Sequence, residues 1–345
     1  MFRAFVAIIL VAVLAAGLWL AWALYLPVQP RGTQFVLLRP GWSSRHIATE
    51  LQSAGVVRSA RAFLLMHYAL GRTLKAGEYK FDQPATARQV HDRLARGDIY
   101  VHYVTIPEGY NLYDIANAVQ QAGLGSAQDF IKAAAGDVVF IRDLDPKAAT
   151  LEGYLFPDTY GFTRTQSMHD MIATMVHRFR REAEQLGLVC PVNPDPSAQT
   201  SASSSRCPDL HAVVTMASIV EKETAVPEER PMVASVYYNR LRRGIALAAD
   251  PTVIYAALVS GHYSGGIHQS DLQFNSPYNT YRNAGMPPGP IANPGRASLE
   301  AALHPASTEF LYFVSDGNGH HRFSRTLDEH SRNVAAYRRA VAASR

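Results

Sequence analysis

Several signatures of common chemistry are missing from this chain. No His-Glu-x-x-His segment occurs, which removes the usual zinc-peptidase site. Neither Gly-x-Ser-x-Gly nor Ser-x-x-Lys is present, so two familiar serine acyl-transfer arrangements are excluded. No Gly-x-x-x-x-Gly-Lys-Ser/Thr loop is available to cradle nucleotide phosphates. Cysteine is scarce: 345 residues hold two, Cys190 and Cys207, without the Cys-x-x-Cys pair of a structural zinc site. His320-His321 has no spaced ligand partner. Charge of one sign is also in short supply. The net charge of +4 is too small and too scattered to argue for nucleic acid. No cofactor and no metal are expected.

The two cysteines bracket a loop of Pro, Ser, Ala, Asn and Thr. A disulfide closing it would stabilise the fold by about 3 kcal/mol and would require an oxidising compartment. Two free thiols fit the sequence as well.

What is present begins with Phe5 to Leu26, an uncharged apolar run. A membrane-spanning helix needs about 20 such residues. Trp19, Trp22 and Tyr25 lie toward its end, where an interfacial aromatic belt belongs. Arg3 favours a cytoplasmic start, although Arg31 weakens the asymmetry. A cleaved signal peptide is the rival, with Ala15-Ala16-Gly17 as a small-residue site, but the run is long for a signal's apolar region. An uncleaved single-pass anchor is therefore expected, with everything after residue 30 outside the cytoplasm.

Residues 31–104 read as a small mixed module. Gln34 to Arg39 predicts a strand, and Pro40-Gly41 a turn. A helix follows, capped by Ser43 or Ser44 and carrying Ile47, Ala48 and Leu51. A second covers Ala60 to Leu70, a strand ends at Phe81, and a third helix runs from Thr86 to Ala95. Strand–helix–helix–strand modules of this kind resemble the LysM type, which binds amino-sugar polymers. A plain structural domain has the same pattern. Residues 105 to 180 read as alternating helices and loops. They include a rigid aromatic loop at Leu151–Tyr160 (LEGYLFPDTY) and an amphipathic helix from Met171 to Leu186, with Arg178, Arg180 and Arg181 outward.

The segment Ala212–Thr224 (AVVTMASIVEKET) carries the chemistry. From His211 to Val220 there is no charge, and no Gly or Pro interrupts the run, so a buried helix is predicted. Val214, Ala217, Ser218 and Glu221 share one face by three- and four-residue spacing, while Glu223 lies on another. A carboxyl at the end of such a helix should be desolvated, as a general acid at neutral pH requires. Solvation of the helix end is the bland alternative. Farther on, a helix runs from Pro227 to Leu241, and Asp250 reads as the N-cap of the next, with Pro251 in its first position. Ser276–Tyr281 and Gly285–Gly295 (GMPPGPIANPG) give a fixed, irregular backbone. Tyr278 and Tyr281 offer flat apolar faces, and Asn279 and Asn293 offer paired donors and acceptors, which are the groups a sugar ring needs. A long loop packed on the core is the competing reading. Phe310–Val314 predicts a buried strand, pairing with Arg322–Ser324, before a last helix from about Leu327.

Six motifs in order resemble the endolytic murein transglycosylases of the MltG/YceG type: LEGYLFPDTY (151–160), ASIVEKET (217–224), YNRL (238–241), DPTVIY (250–255), YNTY (278–281) and GMPPGPIANPG (285–295). The likeness extends from about residue 34 to the end. The Cys-flanked loop departs from the pattern and reads as a surface insertion. The resemblance implies a lytic transglycosylase that cuts MurNAc–GlcNAc β-1,4 bonds within glycan strands and leaves 1,6-anhydro-MurNAc ends. It carries the catalytic acid to Glu221. Glu152, Tyr160, Asn239, Arg240, Asp250, Tyr278, Asn279, Tyr281 and Asn293 are expected to serve substrate binding. The implied setting is the inner membrane with a periplasmic catalytic domain, close to peptidoglycan synthases. The expected fold is α+β: an N-terminal transmembrane helix (1–30), a LysM-like module (31–104) and a helix-rich catalytic domain (105–345, loop insertion 187–210). Two other classes stay open. A muramidase-type hydrolase would use Glu152 or Glu223 to deliver water, and a non-catalytic glycan-binding scaffold would not need Glu221.

Overall fold

A computed structural model describes residues 2–189 and 207–343 of the chain. It mixes helix and sheet, and its contacts divide it into two units. The first comprises 1–103, 122–124 and 161–167, and the second 104–121, 125–160 and 168–345. The pairing of Cys190 with Cys207 lies outside the described residues.

The first unit opens with α1 (Phe2–Tyr25), a helix long and apolar enough to cross a membrane. Its last turn leaves that role: Ala23 and Leu24 are buried in the unit's core. The Arg58 guanidinium lies over Trp22, 5.1 Å from the ring centre, and bonds the carbonyls of Leu26 and Pro27. The core lies under β1 (Gln34–Leu38), α2 (Ser44–Ser53), α3 (Ala60–Leu70), β2 (Gly77–Phe81) and α4 (Ala87–Arg96). β1 and β2 pair antiparallel, with Val36 opposite Tyr79. Each helix starts where a hydroxyl accepts an orphan amide: Ser43 for α2, Ser59 for α3 and Thr86 for α4, the last in a full capping box with Gln89. Buried Glu78 bonds His102 at 2.5 Å and Arg164 at 2.9 Å, which ties 161–167 to this unit.

In chain order there follow β3 (His102–Thr105), α5 (Leu112–Gln121), α6 (Ala127–Gly136), β4 (Thr159–Phe162), α7 (Met168–Gln185), α8 (Leu210–Glu223), α9 (Arg230–Arg242), α10 (Asp250–Val259), α11 (Arg296–Leu303), β5 (Tyr312–Ser315), β6 (His321–Ser324) and α12 (Leu327–Ala343). The second unit is built around α8, which packs against α9, α10 and α11. Asp209 caps it through the Ala212 amide, and Val213 to Val220 are all buried. A helix apolar on every side needs such a position.

Several local expectations differ from the structure. β4 lies in a stretch read as helix and loop; four residues are too few to show a period of two. The β5 strand is half-buried rather than buried, being the edge of a two-stranded ribbon. Arg178 and Arg180 do not point free into solvent. Arg178 holds Asp158 and Glu182, and Arg180 holds Asp143 and the Phe140 carbonyl. Asp250 does not cap α10; its carboxylate accepts from the Tyr281 hydroxyl at 2.6 Å.

Gly153 shows how tightly the second unit is packed. Its φ is +89°, and a Cβ there would lie 2.6 Å from Pro290 and 2.8 Å from Val214. Both the left-handed backbone and the contact forbid a side chain. Gly153→Ala is expected to destabilise the protein by about 2–4 kcal/mol, read as a lowered urea midpoint.

Candidate active site

The site is assembled by one stripe of α8. His211, Ser218 and Glu221 recur at roughly helical spacing and each bonds the Pro-rich segment 285–295. His211 Nε2 meets the Pro288 carbonyl at 2.9 Å, the Ser218 hydroxyl accepts from the Ile291 amide at 3.0 Å, and Glu221 Oε2 accepts from the Gly295 amide at 2.9 Å. The Pro-rich segment runs along α8 in the same direction and meets it in turn at His211, Ser218 and Glu221. The other ring nitrogen of His211 meets Asp145 at 2.7 Å, which also takes the Tyr154 hydroxyl.

Glu221 therefore ends a buried helix with its side chain 5% exposed. Besides the Gly295 amide it has one charged partner, Arg230 at the start of α9, whose Nη2 is 3.0 Å from Oε1. The same Nη2 lies 3.6 Å from Glu108 Oε2. Glu108 stands in the turn before α5 and is half-exposed. Its carboxyl is pushed above the usual range, first by burial, then by the charge of Glu221, with Arg230 opposing both. Gly295 makes room for it: a Cβ at Gly295 would lie 1.9 Å from Glu108 Oε1. Lys222 reaches the Gly109 carbonyl at 3.2 Å. Glu108 and Arg230 are absent from the sequence-based set. In the sequence Pro107-Glu108-Gly109 has only the look of a Pro/Gly turn before a helix, and Arg230 that of an early charge in the helix that begins at Pro227.

A buried hub holds this turn in place. Asn293 donates to the Tyr110 carbonyl at 2.9 Å and to Glu152 at 3.0 Å, and accepts from the Leu155 amide at 2.8 Å. Its backbone carbonyl takes the Gly109 amide at 2.9 Å. Glu152 is 1% exposed and accepts from the Leu112 amide at the N-terminus of α5, from Asn293 and from the Tyr255 hydroxyl. Burial pushes it up to about 8 against the pull of these donors. Tyr278 packs edge-on to Tyr255, with ring centres 5.0 Å apart.

A second group lines a cavity of about 280 Å³: Glu223, Tyr237, Arg240, Asp250, Tyr281 and His330 among others. Tyr237 donates to Glu223 at 2.5 Å, and Arg240 is fixed by the Leu311 and Leu247 carbonyls over the Tyr312 ring. Ala248, in the same wall, has φ +47°, a left-handed conformation costly for a residue with a Cβ. The structure thus brings Arg240, Asp250 and Tyr281 together around one cavity, and joins Glu152 to Asn293 in a closed hub with Tyr278 packed on its Tyr255. Asn239 and Asn279 join neither group. Asn239 donates to the Thr308 and Phe310 carbonyls, and Asn279 to those of Leu272 and Phe274. The Tyr160 hydroxyl donates to the Phe156 carbonyl.

Burial raises Glu223 to about 7. A carboxyl whose folded value exceeds its unfolded one stabilises below the unfolded value and loses that stabilisation as pH rises through the folded one. Glu152 and Glu223 both have this sign, so urea stability should fall from pH 5 to pH 8.5. Glu223→Gln, which keeps an acceptor for Tyr237, should remove part of that slope, of the order of 2 kcal/mol.

Comparison with known proteins places the chain in a family. Residues 36–336 match the YceG-like family. The endolytic murein transglycosylase of Bacillus subtilis is 34% identical over 86% of this chain and 82% of its own length. That of Streptococcus pneumoniae strain D39 is 29% identical over 90% of this chain, which spans 60% of the pneumococcal protein. The crystal structure of a YceG-like protein from Listeria monocytogenes, 32% identical, superposes with a TM-score of 0.54 over 87% of this chain and 98% of its own. The chain belongs to the YceG-like family.

Proposed function

We propose that this protein is an endolytic peptidoglycan lytic transglycosylase with Glu221 as its acid. One observation carries the reading: a nearly buried carboxylate ends an uncharged helix, held by one guanidinium and one amide, in a chain whose relatives bear that name. Protonated Glu221 gives its proton to the glycosidic oxygen between N-acetylmuramic acid and N-acetylglucosamine as the C1–O bond breaks. The muramyl O6 closes onto C1, and its proton returns to the Glu221 carboxylate. The enzyme ends as it began, and no water is consumed. An internal nucleophile has a large effective concentration, so one acid–base carboxyl suffices where ordinary glycosidases use two.

Arg240, Asp250, Tyr278 and Tyr281 are proposed to meet the glycan. Glu152, Tyr160, Asn239, Asn279 and Asn293 act through position, since their polar atoms are engaged within the protein. Of the two second carboxylates a hydrolase could use, Glu152 is closed off from water by three donors, which leaves Glu223, already engaged by the Tyr237 hydroxyl, as the one such a reaction would need. The first unit, with its two strands and two intervening helices, is proposed to hold amino-sugar polymer in the LysM manner. The apolar helix anchors the enzyme in the cytoplasmic membrane with its body outside. There it would meet nascent strands and their synthases and limit strand length.

The test is mass spectrometry of glycan strands digested with the full chain in detergent. Anhydromuramyl ends should accumulate with the wild type and fall by about a thousandfold with Glu221→Gln, the range of a lost general acid. Equal yields from the two proteins would remove Glu221 from the reaction.

A further inference from the structure

Glu221 is paired to a cation in the form the structure shows, whereas an acid must carry a proton when substrate arrives. We propose that Glu108 is the second seat of Arg230: the guanidinium passes from Glu221 to Glu108 as the glycan enters, leaving Glu221 free to hold the proton it donates. This rests on the assignment of Glu221 as the acid and names a positioning residue for it.

The geometry supports such an exchange. One atom, Arg230 Nη2, serves both carboxylates, at 3.0 Å from Glu221 and 3.6 Å from Glu108. Little else fastens the guanidinium: its Nε is buried without a hydrogen-bond partner among the described residues. A guanidinium with spare donors changes partner at low cost. Glu108 is the open member of the pair, 48% exposed against 5% for Glu221. Its carboxylate occupies the space that a side chain at residue 295 would fill, beside the amide that bonds Glu221. The turn that carries it is held by Asn293 and by Lys222. The charged groups around Glu221 are then Glu108 from this turn, Arg230 from α9 and Lys222 on its own helix. The Gly295 amide completes the ring from the start of α11. Both features of Glu108, its draw on Arg230 and its negative charge, favour a proton on Glu221.

The experiment measures kcat/KM for anhydro-end formation against pH, using the full chain in detergent. Glu108→Gln strands Arg230 on Glu221, so the alkaline limb should move down by about one pH unit. The rate would then be roughly tenfold lower on that limb and within about threefold of wild type at the acid end. Glu108→Asp should restore the wild-type limb. Arg230→Gln, which removes the shared cation, should move the limb up, and it carries the test if Glu108→Gln does not fold. A uniform loss of activity with unmoved limbs in both variants would overturn the proposal, because a merely structural role predicts that pattern. A wild type that forms no anhydro ends at any pH would instead overturn the assignment of the reaction, and this inference with it.

Discussion

A carboxylate cannot be taken out of water alone. Desolvating an isolated charge costs several kcal/mol, so it must be paired, hydrogen-bonded or protonated. The second unit is arranged around that constraint at Glu221. The helix beneath it is uncharged and buried, which fixes the position but offers the carboxylate nothing. Its partners come from two distant segments, the Gly295 amide from the Pro-rich loop and Arg230 from the next helix. The loop must follow α8 for its amide to arrive, and the bonds from His211 and Ser218 keep it in step. The 107–112 turn must hold its height for Glu108 to share Arg230, and the Asn293–Glu152 hub sets that height.

Three carboxyls of this unit end in different electrostatic states for separable reasons. Glu152 is fully enclosed and met by three donors, the Leu112 amide at a helix start, the Asn293 amide and the Tyr255 hydroxyl. Glu223 faces a polar cavity with a tyrosine on one oxygen. Glu108 is half in solvent but close to another carboxylate. Burial raises all three, while the countervailing groups differ in number and sign. Glu221 differs from these three in combining low exposure with a cation that has an alternative partner in Glu108.

Much of this was legible in the sequence where the signal is local. An uncharged run without Gly or Pro announced α8 and put Glu221 at its end. A serine before an apolar repeat, Ser43 or Ser44, marked the start of α2. The aromatic and Pro-rich loops stood out by composition. What escaped depends on contacts between distant segments. Glu108 sits in an ordinary Pro-Glu-Gly turn, and nothing nearby says that it meets Arg230 or fits against Gly295. Asp250 had the spacing of an N-cap, yet a tyrosine from a later loop claimed its carboxylate. Asn279 and Asn293 had the chemistry of sugar-binding amides, and in the fold they hold backbone carbonyls. The same donors serve either purpose, and only tertiary structure decides between them.

The central claim is that this site transfers a glycosyl group to an oxygen of the same sugar and admits no water. Running the wild-type digestion in water enriched in oxygen-18 tests it most directly. The account predicts new muramyl ends of unchanged isotopic mass, eighteen mass units lighter than a hydrolysed end in ordinary water. New ends carrying oxygen-18 would contradict it, and the second carboxylate of a hydrolase would then have to be found in this site.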